Sequence, residues 1–253
     1  MKSLSDQQSS APSIRPSRAP SPFSEYFKEV IYGGIDGIIT TFAVVAGFSG
    51  ATLSNDTTTQ LSFLVVLLFG LANLFADAVS MGLGNFLSVR SDKDLFRQAR
   101  EEEMFQIENF KDEEFKETTT ILMARGFTEA DANAIAVLYS KNPEYWGDFM
   151  MNHELKMSDP RGDNPILTGL ATFLSFIIFG SIPLLPFMIA THTAPTAEVF
   201  KYSILGTFVS LVLLGLLKWR VVGTGFIKSL FEVILVGGAA ASIAFFVGSL
   251  FEL

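Results

Sequence analysis

Five runs of this chain are each long and apolar enough to cross a bilayer, which commits it to a bundle of membrane-spanning helices. They cover residues 30–51, 61–89, 165–190, 197–217 and 231–251. The first reads VIYGGIDGIITTFAVVAGFSGA, with Asp36 as its only charge, and the second carries only Asp77. The short polar link GATLSNDTTTQ makes these two an antiparallel hairpin. Charges elsewhere are gathered into blocks, of which the largest lies between the second and third runs. The expected fold class is all-α: a polytopic membrane protein with five transmembrane helices and a helical insert between helices 2 and 3. Residues 1–25, rich in Ser, Pro and Gln, are expected to be a disordered tail rather than a signal peptide. Residues 26–90 then hold helices 1 and 2, residues 91–164 the insert, and residues 165–253 helices 3 to 5.

Lysine and arginine in the loops set the orientation. Arg15, Arg18 and Lys28 precede span one; Arg90, Lys93, Arg97 and Arg100 follow span two; Lys218, Arg220 and Lys228 separate spans four and five. The alternation predicts a cytoplasmic N-terminus and insert. The net charge of −8 comes with no basic stripe, which argues against a nucleic-acid partner. With no cysteine, there is neither a disulfide framework nor a thiolate metal site. A hydrolase finds no GxSxG elbow and no HExxH pair, so the chain is not expected to be an enzyme.

A carboxylate in hydrocarbon costs about 2.5–3.5 kcal/mol on insertion scales, so Asp36 is expected to face a partner or a water-filled path. In the second span Asn73, Asp77 and Met81 recur every four residues and share one face. Asp36 lies about 9 Å, and Met81 about 13 Å, from the cytoplasmic end of its span, so the hairpin brings them to similar depth. A carboxylate beside a thioether suits a borderline transition metal better than Mg²⁺ or Ca²⁺. Gly33, Gly34 and Gly37, Gly82 and Gly84, and the run GGAAAS from Gly237 are expected to allow close helix packing. Pro183 and Pro186 free backbone carbonyls in the third span, which a neighbouring helix or a wet cavity must satisfy.

The insert begins with REEEMFQIENFKDEEFKE, too acidic to be a membrane face. On a continuous helix Glu103 and Glu114, eleven residues apart, point within about 20° of each other, and Gln106 and Glu117 repeat the relation. Later, in WGDFMMNHELKM, Met150, Met151 and Glu154 fall within about one helical turn. The same residues also read as a solvated acidic face and the core of a small helical domain.

In order, DGIITTFAVVAGFSGA, ADAVSMGLGNFLS, DFMMNHEL, GSIPLLPFMI and GGAAASIAFFVG resemble the vacuolar iron transporter family over about residues 25–251. The resemblance implies a homodimer of five-helix subunits whose first spans line a metal path, with a cytoplasmic metal-binding helical insert. It implies export of Fe²⁺, Mn²⁺ or both from the cytosol by proton antiport, serving iron and manganese homeostasis, with no prosthetic group. Asp36 and Met81 match the family's pathway positions, and Glu103, Glu114, Glu117, Met150, Met151 and Glu154 its insert ligands. Two positions depart from the pattern. Gln106 stands where plant-type members have a ligand glutamate, with Glu102 or Glu108 as substitutes, and Asn73 stands in place of an intramembrane glutamate tied to proton coupling, with Asp77 as its replacement. The membrane is expected to be the plasma membrane of a prokaryote, or a vacuolar or other endomembrane of a eukaryote. The alternatives are a membrane-anchored metal sensor and a di-iron storage or oxidase protein; for the latter, His153 and His192 lack the Glu-x-x-His spacing.

Overall fold

A computed structural model describes residues 26–52, 59–190, 196–223 and 225–250. The N-terminal tail, the middle of the link between the first two spans, and His192 lie outside the described residues. Those described are helical wherever they are regular, as lipid demands: a backbone in hydrocarbon must satisfy its own hydrogen bonds. The membrane helices are α1 (Phe27–Thr52), α2 (Thr59–Asn109), α6 (Pro165–Gly180) continued by a 3₁₀ turn (Ile182–Leu184) and α7 (Leu185–Ile189), α8 (Thr196–Val222), and α9 (Phe226–Ser249). Five stretches among them are long and apolar enough to span a bilayer, in agreement with the five runs of the sequence.

Helix α1 is central, packed on α2, α6, α8 and α9. Its contact with α6 is made by glycines. A Cβ on Gly33 would lie 2.7 Å from the Thr172 carbonyl oxygen, and one on Gly37 2.6 Å from that of Phe176. Backbone cannot move aside there, so Gly37→Ala is expected to cost about 1–3 kcal/mol, as overpacking does. Thermal unfolding in detergent checks this, with Gly84→Ala, which meets nothing within 4 Å, as the unaffected control. Ser175 Oγ adds a hydrogen bond to the Val30 carbonyl across the same contact.

The prolines of span three interrupt it between α6 and α7, and Ser203 Oγ on α8 donates to the Pro183 carbonyl at 2.6 Å. A neighbouring helix therefore meets a backbone group at the bend. Leu64, Leu68, Phe75, Val79, Leu83 and Leu87 of α2 are exposed, as a lipid-facing surface requires.

Helix α2 runs unbroken for 51 residues, about 76 Å at helical rise, more than twice a hydrocarbon thickness. The change of composition at residue 90 has no counterpart in the backbone, because Arg90 to Asp94 are all compatible with a helix and only the solvent changes. The distal part of α2 packs with α3 (Lys111–Ala124) and α5 (Pro143–His153), and α4 (Glu129–Tyr139) packs on α3 and meets α5. Thr128 caps α4 through the Asp131 N–H, and Asn142 caps α5 through that of Tyr145. Ile107, Trp146 and Met150 form the core of this unit, with Met104, Phe115 and Phe149 around it. Arg100 of α2 binds Glu144 and Asp148, which fixes α5 against the long helix.

Candidate metal centre

Glu103, Glu114 and Glu154 each offer a carboxylate oxygen within 4.8 Å of the other two, a spacing that one cation can bridge. The sequence paired Glu103 with Glu114 on one straight helix, and that route is corrected by the structure. Eleven residues of straight helix would separate them by about 16 Å along the axis. The chain instead leaves the helical conformation at Phe110 (φ −126°, ψ 40°), and α3 starts anew at Lys111. That corner folds α3 back so that Glu114 meets Glu103. Glu154 arrives from the C-terminal end of α5, where its N–H donates to the Met150 carbonyl.

Glu103 and Glu114 are buried, at 3% and 2% exposure, while Glu154 is open to solvent. Glu103 Oε1 and Glu114 Oε2 are buried oxygens that meet no hydrogen-bond donor. Orphaned buried acceptors are costly, and a cation removes the cost. Burial, then the charges of Glu114 and Glu154, push Glu103 up to about 8. Burial, then the charge of Glu117, push Glu154 to about 7. Glu114 also rises, chiefly by burial. Three carboxylates without a counter-cation resist ionisation together; a divalent ion would take the place of their protons. Such an all-oxygen group suits a divalent cation.

Met150 and Met151 are fully buried, one turn or less before Glu154. Met150 belongs to the insert's apolar core, and its sulfur accepts a hydrogen bond from Thr118 Oγ1 at 3.3 Å. Glu117 is exposed and faces Glu154 from the rim, outside the set of three. Gln106 is exposed one turn after Glu103. Glu102 and Glu108 are exposed too, and neither joins the cluster among the described residues. Glu108 lies about 140° around α2 from Glu103, in a groove with Arg90, Arg97 and Arg161, too far round to replace a ligand at Gln106.

A second polar set lies in the membrane. Asp36 is half-buried on α1, and Asp77 of α2 is the charged side chain that acts on it. Asn73 Nδ2 donates to Asp77 Oδ2 at 2.8 Å, which makes a pair of the two residues aligned by the period of four. Met81, one turn nearer the insert, packs against the apolar cluster of Leu74, Ala78 and Phe176. A polar cavity of about 240 Å³ lies between the two sets, lined by Glu29, Asn85, Ser88, Asp92, Asp163 and Thr168. Glu29 precedes Asp36 by seven residues and Asp92 precedes Glu103 by eleven, so each lies within about 20° of the same helix face. The sequence reading missed Thr118 and the Phe110 corner. Thr118 alone left a trace, standing one turn after Glu114 on the same face.

A family model described as the VIT family matches residues 27–249. The chain is 35% identical to the vacuolar iron transporter of Toxoplasma gondii, over 91% of this chain and 76% of that protein. It is 30% identical to vacuolar iron transporter 1 of Arabidopsis thaliana, over 87% and 84%. The vacuolar iron transporter of Plasmodium falciparum is 32% identical over 87% and 80%. A match that takes in every described helix, together with relatives at this identity, shows that the chain is an integral membrane protein of the VIT family, a transporter and not an enzyme.

Proposed function

We propose that this protein exports Fe²⁺, Mn²⁺ or both from the cytosol in exchange for protons. What carries the reading is the presence of two carboxylate sets on one continuous helix: Glu103 outside the span and Asp77 within it, about 39 Å apart along α2. The insert, on the cytoplasmic side, captures the ion with Glu103, Glu114 and Glu154, helped by Glu117, Met150 and Met151. The polar cavity lies on the way to Asp36 and Met81, which hold the partly dehydrated ion in the membrane. The Asn73–Asp77 pair carries the proton. Asp36, Thr40, Ala43 and Gly47 are only half-buried in one subunit, which leaves a stripe of α1 for a second copy in a homodimer. In a eukaryote the membrane is vacuolar or another endomembrane, as the names of the relatives suggest. The di-iron alternative lacks support, since no histidine joins the carboxylate group among the described residues.

Proteoliposomes loaded with a pH dye and given external Fe²⁺ or Mn²⁺ test this. Metal is expected to enter acid-loaded vesicles as the lumen becomes more alkaline. Asp77→Asn is expected to keep metal binding and lose the proton movement; intact proton movement in that variant would free Asp77 of the role. Tight binding with no flux for either ion would leave the sensor reading instead.

A further inference from the structure

We infer that Thr118 is a positioning residue for the Met150 thioether and sets how strongly the insert prefers soft over hard divalent cations; this rests on the metal-capture reading above. Side chains from α3 and from α5 and its C-terminal end meet at the cluster in two rungs. Glu114 meets Glu154, and one turn deeper Thr118 meets Met150. The second rung is dry: Thr118, Met150 and Trp146 are all at 0% exposure.

The direction of the hydrogen bonds is fixed by Trp146. An indole N–H can only donate, and Trp146 Nε1 lies 2.7 Å from Thr118 Oγ1. The threonine oxygen accepts that bond, so its own proton goes to Met150 Sδ at 3.3 Å. One sulfur lone pair is thereby engaged, and on this inference the other is the one offered to an ion. Methionine has three rotatable side-chain bonds, and the hydroxyl selects one placement of the sulfur, on the residue one turn before Glu154. Groups that orient a ligand without touching the metal commonly control affinity, as the hydrogen-bond partners of metal-bound histidines do. A hard ion draws its binding from the carboxylate oxygens and is indifferent to the sulfur; a soft ion uses both.

Titration of the full-length chain in detergent with MnCl₂ and with CdCl₂ separates these contributions, and the chain has no cysteine to compete for Cd²⁺. Thr118→Val is expected to weaken Cd²⁺ binding about fivefold and change Mn²⁺ binding by less than about twofold, while Thr118→Ser keeps the wild-type ratio. Met150→Leu is expected to lower Cd²⁺ binding in the same selective way and to abolish the effect of adding Thr118→Val. Equal loss of both ions in Thr118→Val, an unchanged ratio, or an undiminished Thr118 effect on the Met150→Leu background overturns the assignment. Glu103→Gln tells the two failures apart: it is expected to weaken both ions. If it does and Thr118→Val leaves the ratio alone, only the role of Thr118 falls. If Glu103→Gln binds both ions as the wild type does, the metal-capture reading falls with it.

Discussion

Asp36→Asn is expected to reduce metal flux into proteoliposomes at least about tenfold, the equivalent of roughly 1.4 kcal/mol or more at the barrier, with the protein still folded. Asparagine keeps the size of the side chain and the Asp36 backbone carbonyl that Thr40 Oγ1 binds at 2.8 Å, so packing on α1 survives. What it loses is the negative charge, which is the property that makes a residue in hydrocarbon able to draw a cation out of water. Because the insert is untouched, Mn²⁺ binding measured by calorimetry is expected to remain while transport stops. Wild-type flux in Asp36→Asn would remove Asp36 from the path.

Metal binding at the insert is expected to strengthen steeply with pH. Below about 7 both Glu103 and Glu154 hold protons, and between about 7 and 8 Glu103 still does. An ion has to displace them, so affinity gains up to about 100-fold per pH unit below 7 and about tenfold between 7 and 8. Glu103→Gln is expected to lower the slope by one proton and Mn²⁺ affinity at neutral pH by about tenfold or more. The stability of the ion-free protein runs the other way. Both groups have folded pKa values above the unfolded carboxylate value of 4.5, so the folded chain binds more protons than the unfolded one from there to about 8. The cluster therefore costs nothing below about 4.5, destabilises progressively from there as pH rises, and the cost levels off above about 8. Saturating Mn²⁺ is expected to reverse that trend in thermal unfolding. A calorimetric affinity flat from pH 6 to 8.5 would count decisively against these carboxylates as ligands.

The spans were legible because hydropathy and length are local properties: about 20 apolar residues leave a backbone in lipid no choice but a helix. Asp36 and Asp77 stood out for the same reason, as lone charges in apolar runs, and the hairpin rule set Asp36 and Met81 at similar depth. The glycines of α1 announced a close approach, although only the packed structure names α6 as the neighbour. In the insert, the pairing of Glu103 with Glu114 was legible from angle alone, yet angle says nothing of the rise between them. The break at Phe110 carries no proline or glycine and follows a helix-compatible run, so local propensity gave no warning of it.

What the sequence determined by itself is the class of the molecule: five membrane helices, an acidic helical insert, and carboxylates and methionines in an order that marks the VIT family. These follow from interactions within a few turns of chain and from an ordered set of motifs. Tertiary structure decided which of those residues act together. It folded α3 back to close three carboxylates around one point, put Thr118 against the Met150 sulfur, and left Glu102 and Glu108 outside. The physical reason is that a metal site is defined by distances across helices, and those are fixed by the core of Ile107, Trp146 and Met150 and by the Arg100 clamp, contacts between residues about 40 or more apart in the chain.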